Sequence, residues 1–272
     1  MIATTDVKLN LGLRVLGRRS DGYHDLETLF VPCNAFGDTL EIKPAVRFGI
    51  SIDGPCYGGW NPSSDLTARA WQLMHEEYGI GPVEIKLTKT APVGAGLGGG
   101  SADGACALKM LSDLFWLGLS EKRLAALALE LGSDCPFFIY DRPMFATGRG
   151  EILEPSGIDL SGYRIRVELP YGVQVSTREA YASLKLHEHA SQPGEGKGLK
   201  ELLQHPIEEW KGLVINDFEE GVFESYPQIA ALKEKMYAEG AVYASMSGSG
   251  SAVFGIFAKR SKDWRPYSSC SP

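Results

Sequence analysis

The chain has no apolar stretch long enough to span a bilayer, and Met1 to Asn10 carries an acid, Asp6, without an apolar run of signal-peptide length. Membrane insertion and secretion are not expected. Paired cysteines are missing too: Cys33, Cys56, Cys106, Cys135 and Cys270 are scattered, and no Cys-x-x-Cys pair points to zinc or redox chemistry. A reducing cytoplasm is the expected compartment. Positive charge is in short supply, with 27 Lys+Arg against 34 Asp+Glu and a net charge of -7. Without a basic cluster the chain is not expected to bind nucleic acid, so any contact with phosphate must be local. His75, His187, His189 and His205 show no metal-ligand spacing, and His187 and His189 are expected at the surface.

What is present is apolar residue and glycine. Hydrophobic side chains make up 44% of 272 residues, enough for one large core or two modest ones. Alternating patterns predict strands over Val7–Leu16, Leu26–Pro32, Thr39–Ile42, Phe48–Ile52 and Val83–Thr88. Apolar residues at helical spacing predict helices over Asp65–Tyr78, Ser101–Trp116 and Glu121–Leu131, and Pro136–Tyr140 reads as a short buried strand. Beyond about residue 155 the pattern restarts. Strands are predicted over Tyr163–Leu169, Ala241–Met246 and Ala252–Phe257, and helices over Ser176–Leu184, Leu199–Gln204, Asn216–Phe223 and Pro227–Ala238, with a loop from His189 to Gly198. This predicts an α+β chain in two lobes, residues 1–155 and 156–258, joined near Pro155-Ser156-Gly157 and followed by an irregular tail over 259–272.

Gly94, Gly96, Gly98, Gly99, Gly100 and Gly104 crowd the junction between the Val83–Thr88 strand and the next helix. Glycine admits positive φ and lets a ligand approach backbone amides, and a helix N-terminus attracts anions. A polyphosphate suits such a turn, although a tight strand-to-helix connection without a ligand would also use glycine. Gly94, Gly96 and Gly99 have the dinucleotide-fold spacing, but helix continues where the second strand and its acid should lie. A nucleotide triphosphatase P-loop needs Lys and then Ser or Thr after its last glycine, whereas Gly99 is followed by Gly100-Ser101. The His-Arg-Asp and Asp-Phe-Gly segments of protein kinases are absent.

The segment Pro92-Val93-Gly94-Ala95-Gly96-Leu97-Gly98-Gly99-Gly100-Ser101-Ala102 resembles the phosphate loop of the galactokinase, homoserine kinase and mevalonate kinase (GHMP) superfamily. Gly17-Arg18-Arg19-Ser20-Asp21-Gly22-Tyr23-His24, with Val7 to Leu11 before it, is similar to the opening of the 4-diphosphocytidyl-2-C-methyl-D-erythritol kinase family. Leu131-Gly132-Ser133-Asp134-Cys135-Pro136-Phe137 and Met246-Ser247-Gly248-Ser249-Gly250 resemble further motifs of that family and superfamily. Asp65 stands where asparagine is common, and Ala102 replaces a second serine.

The resemblance implies a two-lobe α+β kinase, with ATP on the N-terminal lobe and the acceptor in the cleft. It implies transfer of the ATP γ-phosphate to the 2-hydroxyl of a cytidine-diphosphate-linked methylerythritol. Phosphoryl transfer asks for positioning, charge stabilisation and one carboxylate to take the hydroxyl proton. The resemblance assigns that carboxylate to Asp134, with Lys8 beside it, and Pro92 to Ala102 to the triphosphate. Asn10, Tyr23, His24, Thr177 and Tyr181 fall on acceptor-binding positions; an aromatic face stacks on a base and imidazole reads its edge. Nucleoside contacts fall near Asp65-Leu66 and Lys89. Magnesium is expected with ATP, and its protein ligands stay open between Ser101 and Glu130. From periodicity alone, Tyr181 is equally an amphipathic-helix aromatic, Lys8 an outward strand charge, and Gly248 to Gly250 a turn joining two core strands. A sibling kinase without a base to recognise, or a non-catalytic nucleotide-binding descendant, would share the glycine turn.

Overall fold

The computed structural model describes residues 1–184 and 198–259. The expected His189–Gly198 loop, apart from Gly198, lies outside them. So do His187, His189 and the tail beyond Lys259.

Four strands make the first sheet, in the order β1 (Ile2–Thr4), β4 (Thr39–Pro44), β6 (Val83–Thr88) and β5 (Gly49–Asp53). β5 and β6 are parallel, so the chain between them must cross over, and it does so through α1 (Leu66–Tyr78). The Asp65 carboxylate caps α1 by accepting from the Thr67 amide at 2.9 Å, and Gly79, in the left-handed region, ends it. Alternation in β4 and β6 sends Leu40, Ile42, Val83, Ile85 and Leu87 to one face. There they meet Ala70 and Met74 of α1 and Ala105, Leu108 and Leu111 of α2 (Gly99–Leu114). Each fully buried leucine in this layer contributes about 1.5–3 kcal/mol.

The second sheet runs β2 (Val7–Arg18), β3 (His24–Cys33), β7 (Met144–Thr147) and β8 (Ile152–Pro155). β2 is buried on both faces over Val7 to Leu13, which removes the outward option for Lys8 and Asn10. One end of β2 joins the glycine turn, where the Lys8 amide donates to the Leu97 carbonyl at 2.8 Å. Its middle joins the C-terminal half, where the Leu13 amide donates to Ile215 and the Leu13 carbonyl accepts from Asp217. This single strand therefore reaches both walls of the site.

The third sheet, β10 (Tyr243–Met246), β11 (Val253–Ala258) and β9 (Tyr163–Glu168), is antiparallel throughout. Ile229 and Met236 of α8 (Pro227–Ala238) share an apolar cluster with Ala244, Met246, Val253 and Phe257 of this sheet. α5 (Thr177–Ala182) is closed by a reciprocal capping box between Ser176 and Glu179. α6 (Leu199–Leu202) and α7 (Glu219–Ser225) complete this half.

One expected element changes type. α3 (Glu121–Leu131) is followed by a helix, α4 (Cys135–Tyr140), rather than a strand over Pro136–Tyr140. Cys135, Pro136, Phe137, Phe138 and Ile139 are all buried, so no period marks a face, and the aromatic content favours strand by propensity. Pro136 stands in the first helical turn, where its missing N–H costs nothing and its fixed φ suits a helix. The edge or short strands β1, β7 and β8 carried too little pattern to be predicted. Among the described residues, no helix is long and apolar enough to cross a membrane.

Candidate active site

The glycine turn ends by becoming α2. Gly98 is the N-cap residue, at φ 72°, and no side chain caps the helix, so its first amides are left for a ligand. A Cβ at Gly98 would stand 3.1 Å from Lys8 Cγ and from Phe138 Cζ, so β2 and α4 both press against the turn. Gly96, at φ 77°, is more constrained still: a Cβ there would fall 2.1 Å from the Ser247 carbonyl oxygen. Gly100 faces open space.

Lys8 and Asp134 meet beside this turn. Lys8 Nζ lies 3.5 Å from Asp134 Oδ2, donates to Asn10 Oδ1 at 2.6 Å, and stands 4.9 Å from the centre of the Phe30 ring. Asn10 Nδ2 donates to Thr28 Oγ1 at 3.0 Å, and that hydroxyl donates to the Gly12 carbonyl at 2.6 Å. Every polar atom behind Lys8 is thus partnered, which fixes the ammonium with its free side toward Asp134. Asp134, at the N-cap of α4, keeps 35% of its side chain exposed, whereas Lys8 keeps 6%. The carboxylate can therefore reach a ligand that the ammonium only flanks.

The Ser247 to Gly250 turn closes the opposite wall. The Ser247 hydroxyl donates to the Gly96 carbonyl at 3.0 Å and accepts from the Asn10 amide at 3.3 Å. Asn216 holds the segment from behind through the Met246 and Gly248 carbonyls. Thr177 Oγ1 and Ser249 Oγ are 3.3 Å apart at its rim. Lys8, Asn10, Phe30, Gly94, Gly96, Gly98, Asp134, Arg149, Thr177, Tyr181, Gly248 and Ser249 all line one cavity of about 320 Å³. A second groove of about 500 Å³ lies against Pro92, Val93, Gly94 and Ala95, walled by Pro55, Cys56, Tyr57, Leu169 and Val173.

The aromatic candidates are arranged differently from a simple sandwich. Tyr181 stacks on His24, with centroids 4.5 Å apart and planes at 20°, and meets Phe218 edge-on at 4.8 Å. Burial lowers the His24 pKa, with Arg18 adding to the effect, and burial raises that of Tyr181, assisted by the Asp134 charge. Tyr23 is 56% exposed, and its ring faces the Arg149 guanidinium at 4.9 Å instead of Tyr181.

Two residues that resemblance placed at the nucleoside are occupied elsewhere. Asp65 caps α1 and accepts from Trp60 Nε1 at 3.3 Å. Lys89 is fully buried between Asp38 and Asp103, donating to Asp38 Oδ2 and, at 2.6 Å, to Asp103 Oδ2. Asp38 Oδ1 accepts from the Thr90 and Ala91 amides at 2.6 and 2.8 Å, so the network grips the entrance of the glycine turn and, through Asp103, the first turns of α2. Two carboxylates press on one dry ammonium. Lys89 stays charged, and burial pushes Asp103 up to about 7. Sequence reasoning passed over Phe30, Arg149, Asn216, Asp38 and Asp103, and it set Lys89 near the nucleoside without foreseeing this triad. The pair of glycines around Arg149 was the one local signal.

No group of three His, Cys, Asp or Glu side chains among the described residues could hold a metal alone. Glu130 is exposed on α3 and does not line the cavity. Ser101 stands half-buried in the first turn of α2. Such sparse oxygen donors suit a magnesium ion held mainly by substrate phosphates and water.

An uncapped helix start directly beside a lysine-carboxylate pair suits phosphoryl transfer, and the family models place the chain among the GHMP kinases. The model described as GHMP kinases N terminal domain matches residues 65–142, and that described as GHMP kinases C terminal matches 199–263. The chain is 44% identical over 266 residues to the 4-diphosphocytidyl-2-C-methyl-D-erythritol kinase of Bacteroides thetaiotaomicron, covering 94% of this chain and 92% of that protein. It is 43% identical over 258 residues to the enzyme of the same name from Cytophaga hutchinsonii, covering 94% and 92%. The chain belongs to this kinase family. A crystal structure of 4-(cytidine 5'-diphospho)-2C-methyl-D-erythritol kinase superposes with a TM-score of 0.74 at 36% identity, covering 94% of this chain and 90% of that one. A mevalonate kinase crystal structure superposes at 0.64 with 13% identity, which shows a shared fold.

Proposed function

We infer that this chain transfers the γ-phosphate of ATP to the 2-hydroxyl of 4-(cytidine 5'-diphospho)-2-C-methyl-D-erythritol, giving the 2-phosphate and ADP, a step toward isoprenoid precursors by the non-mevalonate route. The observation that carries this reading is the Lys8–Asp134 pair, 3.5 Å apart, in one cavity with Gly94, Gly96 and Gly98.

The amides at the start of α2 and the turn from Pro92 to Ala102 bind and orient the triphosphate. Its nucleoside end occupies the groove beside Pro55 to Tyr57. Asp134 accepts the proton of the acceptor hydroxyl as that oxygen bonds to the γ-phosphorus and the bond to the ADP oxygen breaks. Lys8 holds positive charge where negative charge develops on the acceptor oxygen. A magnesium ion bound with ATP would supply charge neutralisation to the transferring phosphates, and the Ser101 hydroxyl in the first turn of α2 would be its protein ligand. Thr177 holds the acceptor polyol, Asn10 lines the same cavity through an oxygen already shared with Lys8, and Tyr23, His24 and Tyr181 hold the cytosine. Residues 1–155 supply the ATP side, and 156–258 close the cleft and exclude water. The expected compartment is the cytoplasm, with no nucleic acid or membrane partner.

Phosphorus NMR of a reaction with magnesium, ATP and the cytidylylated acceptor tests the reading. A new phosphate monoester that forms with the acceptor, and not with mevalonate or homoserine, is expected. Equal transfer to mevalonate would reject the substrate assignment.

A further inference from the structure

We propose that Arg149 is the specificity residue for the acceptor's diphosphate, binding it as a planar cation between the base site and the reaction centre. The proposal rests on the acceptor reading given above. That substrate carries its charge in the middle: cytidine at one end, a polyol at the other, and two ionised phosphates between them.

Lys8 and Arg149 are the two cations among the described residues that line the cavity. Lys8 is already committed to Asp134 and Asn10. Arg149 sits on the β7–β8 turn between Gly148 and Gly150, both at positive φ (68° and 105°). That turn is tied to β3 by the Leu26 amide, which donates to the Gly148 carbonyl at 2.8 Å. The residue links the two ends of the site. Its guanidinium lies 4.9 Å over the Tyr23 ring, while a Cβ on its neighbour Gly150 would stand 3.6 Å from Asp134 Oδ1. For a molecule with its base beside Tyr23 and its hydroxyl at Asp134, this side chain stands between the two ends, where the central phosphates belong.

Arg149 keeps part of its guanidinium for a ligand although carboxylates stand near it, Glu151 in contact and Asp21 close enough to feel its charge. Glu151 contacts Nε, the inner nitrogen, at 3.5 Å, and Glu151 Oε2 accepts from the Arg149 amide at 2.5 Å. Those contacts orient the fork without spanning its outer edge. A planar guanidinium pairs with phosphate oxygens in bidentate fashion, which a lysine at this position would not do.

Calorimetric titration of cytidine diphosphate and of cytidine into the wild type, Arg149→Gln and Arg149→Lys decides the matter. The wild type should bind cytidine diphosphate at least about tenfold more tightly than cytidine, since charge-assisted hydrogen bonds are worth more than neutral ones. Arg149→Gln should weaken the diphosphate about tenfold or more while moving cytidine less than about twofold, and Arg149→Lys should fall between. With the full acceptor, KM should rise by a similar factor and kcat should change little. Unchanged ATP affinity confirms that each variant is folded. Equal losses for cytidine diphosphate and cytidine would make Arg149 a support for the Tyr23 ring, and an unchanged diphosphate affinity would leave it without a ligand role. Either result overturns the proposal while the kinase reading stands. A wild type that binds neither probe overturns both.

Discussion

Ser247 donates its hydroxyl hydrogen to the Gly96 carbonyl at 3.0 Å across 151 positions of sequence, and its own carbonyl fills the space a Gly96 side chain would need. The phosphate turn is therefore shaped by the C-terminal half as well as by its own glycines. Gly96→Ala combines a 2.1 Å clash with a residue at φ 77°, and should cost several kcal/mol of stability and about a hundredfold or more in phosphate transfer. Gly100→Ala faces open space in a helix turn and should leave the melting temperature unchanged or raised. Thermal melts of the two variants check the contrast. Similar losses in both would mean that the contact with Ser247 does not shape the turn.

Asp134→Asn keeps size and removes the proton acceptor. The expected loss in kcat is about 10²–10⁴-fold, with ATP affinity changed less than about threefold, because in the proposed function α2 and the turn bind the triphosphate without this side chain. Single-turnover transfer measured beside equilibrium ATP binding separates the two quantities. A variant with near-normal turnover would remove Asp134 from the chemistry.

Asp103 gives stability a pH dependence of defined sign. Its carboxyl is raised from 3.8 to about 7 in the folded protein, with burial as the main cause. Between these two values the folded state keeps a proton that the unfolded chain has released. Stability from this group is therefore greatest at acid pH, falls as pH rises through that window, and levels off above it. Asp103→Asn should flatten this part of a plot of melting temperature against pH. An undiminished slope would place the titration elsewhere.

Much of the fold was legible because local pattern and tertiary burial agree: Val83–Thr88, Glu121–Leu131 and Pro227–Ala238 have the boundaries expected of them. α4 was not legible, since a run buried on every side carries no period and only Pro136 hinted at a helix start. The glycine turn advertised itself through density. Lys8 did not, because an apolar-charged-apolar triplet fits a surface strand equally well, and its burial depends on packing between the glycine turn and the C-terminal half. The Asp38–Lys89–Asp103 triad was illegible for the same reason, since its members come from three separate segments that meet only in the folded chain. Arg149 is flanked by a glycine pair that marks a turn, but it reaches the cavity through the β3–β7 pairing, which that local signal does not report.

The stacked pair His24 and Tyr181 gives the last test, because its two rings come from opposite halves of the chain and lie 4.5 Å apart. A cytosine entering this site must add to the stack or separate it, and each aromatic–base contact is worth about 1–3 kcal/mol. Tyr181→Ala should therefore weaken cytidine itself about tenfold, and cytidine diphosphate by the same factor, whereas ATP binding should hold. His24→Ala should do likewise, with Tyr181→Phe close to the wild type because stacking needs the ring and not the hydroxyl. Burial holds the His24 imidazole below its ordinary pKa, which favours the neutral ring, and a neutral ring would offer a base edge one donor and one acceptor. Lowering pH through the imidazole range should weaken cytidine binding in the wild type and have no such effect in His24→Ala. If Tyr181→Ala bound cytidine as tightly as the wild type, the base would have to be held elsewhere than at this stack.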